Sequence, residues 1–465
     1  MADKTVGEQL KEELFLKKEN GFKNISDEKW EKASAFCEGY KSFLLKAKTE
    51  REAVKASVEI AEKAGFLPFD VNKKYTAGDK YYVNNRGKAI AFVVVGKALA
   101  DAGVQITAAH IDSPRMDLKP NPLYEDTDLA LFKTHYYGGI KKYQWTTIPL
   151  ALHGVFVKTD GRVIEVNIGE DEKDPCFVVT DLLPHLAQEQ SKRTLSDGIR
   201  GEELNVLIGS RPFKDDKASE LVKLNILKIL NEKYGVTEAD FLSAELEVVP
   251  AVKPRDIGFD RSLIGAYGHD DRVCAYPALM AITEISTPEK TALCILADKE
   301  EVGSDGNTGL NSDFLRFVIR DLAESQGVDY TIALRNSKCL SADVNAGMDP
   351  TFKDVMEAKN AAKLNYGAVI TKYTGARGKA GTSDASAEYV AYVRNMLDKA
   401  DIIWQTGELG RVDLGGGGTV AMYVANMGVD VVDLGVPVLA MHAPFEVVSK
   451  LDVYETYRTM LEFVK

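Results

Sequence analysis

The densest chemistry in the chain lies at Asp298-Lys-Glu-Glu-Val-Gly-Ser304, where the apolar run Leu293-Cys-Ile-Leu296 delivers two adjacent carboxylates, Glu300 and Glu301, into a glycine-bounded loop. Neighbouring carboxylates at such a point divide into two jobs: one holds a divalent cation and the other acts as general base toward an attacking water. A lone Glu-Glu pair is more commonly a solvated acidic turn, so other loops must supply partners. Four do. His110 closes an apolar run in His-Ile-Asp112, and residues two apart on an extended segment project to one side, so Asp112 can accept the second ring N–H of a metal-binding imidazole. Asp270 and Asp271 sit in a polar loop, Gly265-Ala-Tyr-Gly-His-Asp-Asp-Arg, that feeds a helix through Tyr276. A carboxylate there either bridges two cations or merely caps the helix. Asp343 follows Cys339-Leu-Ser-Ala, and His442 follows Gly435-Val-Pro-Val-Leu-Ala-Met.

Two histidines and three carboxylates without thiolates suit a pair of divalent ions, zinc first with manganese or cobalt as alternatives, better than a structural zinc. With Asp270 bridging, one ion takes His110 and Asp343 and the other Glu301 and His442. Glu300 is then the spare carboxylate, placed to take a proton from the water attacking a carbonyl and hand it to the leaving amine.

The elements that must position these residues are those of an α/β chain. Ser26 precedes a helical repeat of Trp30, Ala33, Cys37, Tyr40 and Leu44; Thr49 and Glu52 form a capping-box pattern for a second helix closed by Gly65. Strands follow at 88–96 and 104–112, and the spacing predicts a helix over 313–324 with Ser312 as its N-cap. Between them the texture becomes β-rich: Asp160-Gly161 separates two alternating runs as a hairpin turn, and a helix over 218–234 stops at Gly235. This block reads as a second domain inserted into the first. His135 and His153 within it have no companion at ligand spacing and read as structural.

The 465 residues exceed one core, and the net charge of −12 argues against nucleic acid or an anionic membrane as partner, leaving small molecules or peptides. The start lacks a basic-then-apolar leader and no apolar run is long enough to span a bilayer, so the cytoplasm is the expected location. Five scattered cysteines without a Cys-x-x-Cys spacing argue against a disulfide framework. Gly415-Gly-Gly-Gly418 lacks the Lys-Ser/Thr of a phosphate loop and points to close backbone approach or tight packing.

Taken in order, His110-Ile-Asp-Ser-Pro-Arg, Asp270-Asp-Arg, Asp298-Lys-Glu-Glu-Val-Gly-Ser304, Ser341-Ala-Asp343-Val and Met441-His442 resemble the motifs of the aspartyl aminopeptidase family of dizinc exopeptidases, over almost the whole chain. The resemblance implies a three-layer α/β/α catalytic domain of the zinc-exopeptidase kind at 1–117 and 256–465, with an inserted β-rich dimerisation domain at 118–255. It also implies a tetrahedral homododecamer that removes N-terminal residues from peptides. Position by position it places the ligands at His110, Asp270, Glu301, Asp343 and His442, the base at Glu300 and an orienting aspartate at Asp112. Asp271 departs from the asparagine common in the family. Leu183-Pro-His185-Leu-Ala resembles a region that reaches a neighbouring subunit's site. The segment holding Lys372, Arg377 and Lys379 resembles the lining of the pocket for the first side chain, where one of them would pair with an acidic residue. Two other functions fit the same residues: a dimetal deacylase of N-acyl amino acids, and a noncatalytic assembly protein.

Overall fold

Apolar runs of the sequence become the middle of a nine-stranded mixed sheet in the computed structural model, which describes residues 4–465. From edge to edge its strands are Leu67–Pro68, Lys80–Asn85, Ala89–Val94, Ala292–Ala297, Gln105–His110, Lys338–Ser341, Asp430–Gly435, Ala368–Thr371 and Trp404–Thr406. The four strands from Ala292–Ala297 to Asp430–Gly435 are parallel, so their carboxyl ends open on one edge of the sheet. Their continuous hydrophobicity follows from burial on both faces. Ile90, Phe92 and Val94 enter one core, with helices Asp27–Lys46, Glu50–Lys63, His269–Glu284 and Lys450–Val464. Ala91 and Val93 enter the other, with helices Phe314–Gln326 and Tyr330–Asn336.

Local signals set the helix ends. Ser26 accepts the Lys29 N–H, Thr49 and Glu52 complete their capping box, and Gly235 closes helix Leu221–Tyr234 in the left-handed region. Ser312 lies just ahead of helix Phe314–Gln326, as expected: its hydroxyl donates to the Gly309 carbonyl at 2.7 Å and accepts the Phe314 N–H at 3.3 Å, with Asp313 the residue directly before the helix. Cys37, Cys274, Cys294 and Cys339 are buried and unbridged, and Cys176 is exposed.

A second, seven-stranded sheet is antiparallel throughout and lies between Arg115 and Pro250 in sequence. Its hairpin Leu150–Val157 to Val163–Ile168 turns at Asp160-Gly161, with Gly161 at φ 86. Helix Leu221–Tyr234 covers it through Ile226, Leu227 and Leu230, against a core that includes Phe132, Trp145 and Phe156. Arg255–Ile257, which begins at the expected end of this block, pairs with Leu263–Ala266 in a third, five-stranded sheet.

Helix Glu50–Lys63 joins the second sheet through ion pairs. Arg115 lies 3.2 Å from Glu50, 2.8 Å from Asp117 and 3.3 Å from Glu247, and Lys88 lies 2.9 Å from Glu245. His153 stands between Glu52 at 2.8 Å and Glu170 at 3.0 Å, and Lys48 holds Glu170 at 2.7 Å.

Candidate metal centre

The five expected metal ligands and Glu300 each reach the carboxyl edge of the parallel strands by a short route. His110 is the last residue of Gln105–His110, and Asp343 lies two beyond Ser341. Glu300 and Glu301 form a single 3₁₀ turn just past Ala297, entered through Lys299 at φ 65. Asp270, with non-helical φ −78 and ψ 108, stands outside the regular turns of the helix that follows. His442 sits at φ 65 in the loop after Pro437–Leu439.

The ligand atoms of His110, Asp270 and Asp343 all lie within 4.8 Å of one another, and so do those of Asp270, Glu301 and His442. Asp270 belongs to both groups. Its Oδ1 is 3.1 Å from His110 Nε2 and its Oδ2 is 3.1 Å from His442 Nε2. His442 Nε2 is also 3.5 Å from Glu301, while Glu300 lies 3.7 Å from His110. Both imidazoles turn Nε2 inward because Nδ1 is engaged behind them. His442 Nδ1–H donates to the Gly139 carbonyl at 2.7 Å. His110 Nδ1 faces Asp112, 3.1 Å from its carbonyl oxygen and 3.3 Å from Oδ1. His110 Nε2 and Glu301 Oε1 are buried with no hydrogen-bond partner. Inward-facing imidazole nitrogens, unpartnered carboxylate oxygens and a shared carboxylate are the donor set of a divalent-metal centre, so the residues fit zinc.

Two further carboxylates fix the backbone. Asp112 accepts the N–H groups of Glu300 at 3.1 Å and Glu301 at 3.2 Å, and Tyr137 O–H donates to it at 2.8 Å. Glu446 accepts the N–H groups of His442 at 2.7 Å and Asp270 at 3.2 Å. The sequence reading missed Tyr137 and Glu446. The only signal for Glu446 is its place four residues after His442, and Tyr137 has none. His269 faces away from the centre, toward the Tyr40 hydroxyl at 2.8 Å and the Ile264 carbonyl.

Burial raises most of these acids, but against it the bonds to His110 and His442 hold Asp270 below the usual carboxylate range. Burial, reinforced by Asp270 and Asp112, pushes Glu300 up to about 7 against the opposing pull of His110. Burial and Asp270 lift Glu301 well above the carboxylate range, and burial and Glu300 do the same to Asp343. Burial alone would lower His442, yet its bond to Asp270 and the charge of Glu301 raise it to about 10. Burial also holds Asp271 well above its ordinary value, and its Oδ2 accepts the His110 N–H at 3.3 Å.

The centre opens into a cavity of about 410 Å³, whose lining includes Thr371, Leu409, Met422, Tyr423, Asp433 and the glycines 416–418. Gly416, at φ 107, passes so close to the Gly375 carbonyl that a Cβ would lie 1.9 Å from it, as the glycine run suggested. Among the described residues no lysine or arginine lines this cavity. Lys372 and Lys379 are both drawn to Asp384, at 2.5 and 2.9 Å. Arg377 and Lys379 line an adjoining cavity. His185 is exposed on the second-sheet block and is absent from the lining.

Fold and cluster together define an α/β metal-dependent hydrolase. Residues 43–464 match the family described as aminopeptidase I zinc metalloprotease (M18), and the chain belongs to that family. The protein is thus a zinc metallo-aminopeptidase, as the ordered motifs indicated. A relative from Clostridium acetobutylicum, described as a probable M18 family aminopeptidase 1, is 50% identical over 453 residues, spanning 96% of this chain and 97% of the relative. The crystal structure of an M18-family aminopeptidase from Thermotoga maritima matches with a TM-score of 0.93 and 47% identity, covering 97% of this chain and all of that one. The S. cerevisiae mApe1 dodecamer shares the fold, with a TM-score of 0.75 at 20% identity over 93% of this chain and 97% of that one. Among the described residues no helix is long and apolar enough to cross a membrane.

Proposed function

We propose that the centre holds two divalent ions, one on His110 and Asp343 and the other on Glu301 and His442, with Asp270 between them. Glu300 is then the general base that releases the N-terminal residue of a peptide. The observation that carries this reading is that Asp270 belongs to both of these ligand groups and turns one oxygen to each histidine, while Glu300, which also comes within ligand distance of His110 and Glu301, faces the same space and is left free to act as base in this division. Lewis acidity toward the scissile carbonyl, and toward the attacking water, is the chemistry such ions supply when bound.

The chain's own residues do the rest. Glu300 takes the proton of the attacking water and returns it to the leaving amine. Its position is set through its N–H, which Asp112 holds. Asp112 and the Gly139 carbonyl fix which nitrogen each imidazole presents. The 118–255 block is read as the dimerisation domain of a homododecamer. Support comes from the dodecameric fold relative and from Leu182, Leu183 and Leu186, which are 53, 50 and 69% exposed around His185 and suit a subunit contact. An acidic first residue, implied by the resemblance, would draw its cation from that contact through His185, or from Arg377 of the adjoining cavity.

The test uses zinc-loaded enzyme and leucine amide. Glu300→Gln should lower kcat by about 10²–10⁴-fold while metal analysis still finds two ions per subunit. Wild-type turnover in the variant, or equal hydrolysis of the N-acetylated substrate, defeats the assignment.

A further inference from the structure

The turn that carries Glu300 and Glu301 is held by other elements at two points. At its entry Asp112 accepts the N–H groups of both glutamates. At its exit the Tyr423 hydroxyl donates to the Gly303 carbonyl at 3.0 Å, and the Gly303 N–H donates in turn to the Glu300 carbonyl at 2.9 Å. Among the described residues no other side chain bonds to the main chain of 299–303. Bonds within the loop, such as that from the Ser304 N–H to the Lys299 carbonyl at 2.7 Å, set the shape of the turn but not where it stands. Packing does not fix the exit either. Val302 and Gly303 are exposed, and nothing lies within 4 Å of where a Cβ on Gly303 would be. Tyr423, by contrast, belongs to helix Ala421–Ala425, which Ala421 and Val424 anchor in the core. Tyr423 lines the metal-centre cavity and also a second one of about 230 Å³, shared with Asn311, Arg316 and Met427.

We propose that Tyr423 is a positioning residue of the hydrolysis: its hydroxyl holds the exit of the turn against a core-anchored helix and so fixes where the Glu300 carboxylate stands in the cavity. The inference rests on the aminopeptidase reading above. Asp112 holds two adjacent N–H groups at one end, about which the turn can still pivot, and a contact at the other end removes that freedom. A general base must lie within hydrogen-bond reach of the proton it takes, and a misplacement of about 1 Å costs on the order of 10²-fold in rate. One neutral hydrogen bond at an exposed turn contributes little to global stability. Its loss therefore acts locally, loosening the turn while the fold persists.

The experiment compares wild type, Tyr423→Phe and Tyr423→Leu at saturating zinc on leucine amide, with amide hydrogen exchange followed in the same proteins. Tyr423→Phe keeps the ring and removes the bond. Its kcat should fall about tenfold, with KM within about twofold of wild type and the urea midpoint unmoved. Tyr423→Leu should lie within about threefold of the Phe variant, because the ring is not what places the turn. Exchange across 299–304 should quicken about tenfold in Tyr423→Phe, while helix Ala421–Ala425 keeps its protection. Wild-type kcat and exchange in Tyr423→Phe, or a loss seen only in Tyr423→Leu, overturns the proposal and leaves the peptidase reading standing. A loss confined to KM makes Tyr423 a substrate contact and overturns it too. Failure of metal-loaded wild type to cleave the amide overturns the peptidase reading, and with it the role in hydrolysis, whatever the exchange shows.

Discussion

Two clusters of buried acid meet at Tyr137, and they are neutralised in opposite ways. Where helix Glu50–Lys63 joins the second sheet, Glu50, Asp117 and Glu247 each lie within 3.3 Å of Arg115, and Glu170 is held by Lys48. At the metal centre Asp270, Glu300, Glu301 and Asp343 face only one another and two imidazoles. Tyr137 touches both sides: its ring lies under the Arg115 guanidinium at 4.0 Å, and its hydroxyl holds Asp112. The difference separates a structural network, which carries its own positive charge, from a receptor, which is built short of it. A receptor of that kind keeps its repulsion until a cation arrives, a common cost of function in folded proteins.

The sharpest way to break the contrast is to open the structural cluster. Arg115→Met strands two buried carboxylates, Glu50 and Glu247, along with the half-exposed Asp117, and should cost about 3–5 kcal/mol in urea unfolding of the metal-loaded protein. A loss below about 1 kcal/mol would mean that those acids are not charge-paired in the fold. Tyr137→Phe tests the link between the clusters. It removes one donor from Asp112 and should weaken zinc by about 10-fold in competition with a chromophoric chelator, with little change in unfolding. Unchanged zinc affinity would assign Tyr137 to the structural side alone. The smallest effect concerns His153, an imidazole with both nitrogens already answered. Burial alone would lower it, but Glu170 and Glu52 raise it above its ordinary 6.5. A raised histidine contributes stability that is complete below about 6.5 and is lost as pH climbs through the folded value. The unfolding difference between wild type and His153→Gln should therefore shrink from pH 6 to pH 9, and a difference constant with pH would show that the ring is neutral in the fold.

Among the candidate ligands, His110, Glu301 and Asp343 were legible because each sits a short step past an apolar strand of the parallel sheet, which collects such ends on one edge; Asp270 lies in a polar loop and His442 follows a strand of the third sheet. Helix caps were legible for a similar reason, since Ser26, Thr49 and Gly235 act within a turn of their own position. Residues that act across the fold left little trace. Tyr137 ends an ordinary alternating strand, and the Gly139 carbonyl belongs to a turn with no motif. The charges of Lys372 and Lys379 are plain in the sequence, but their shared partner Asp384 is not.

One short turn has a consequence for engineering. Tyr137 and Gly139 leave the second sheet together, the first to steady Asp112 and the second to steady His442. That sheet cannot be exchanged between relatives as a self-contained cassette. A chimera whose splice displaced this turn by on the order of an ångström would retain every metal-binding side chain and still present both rings at the wrong angle.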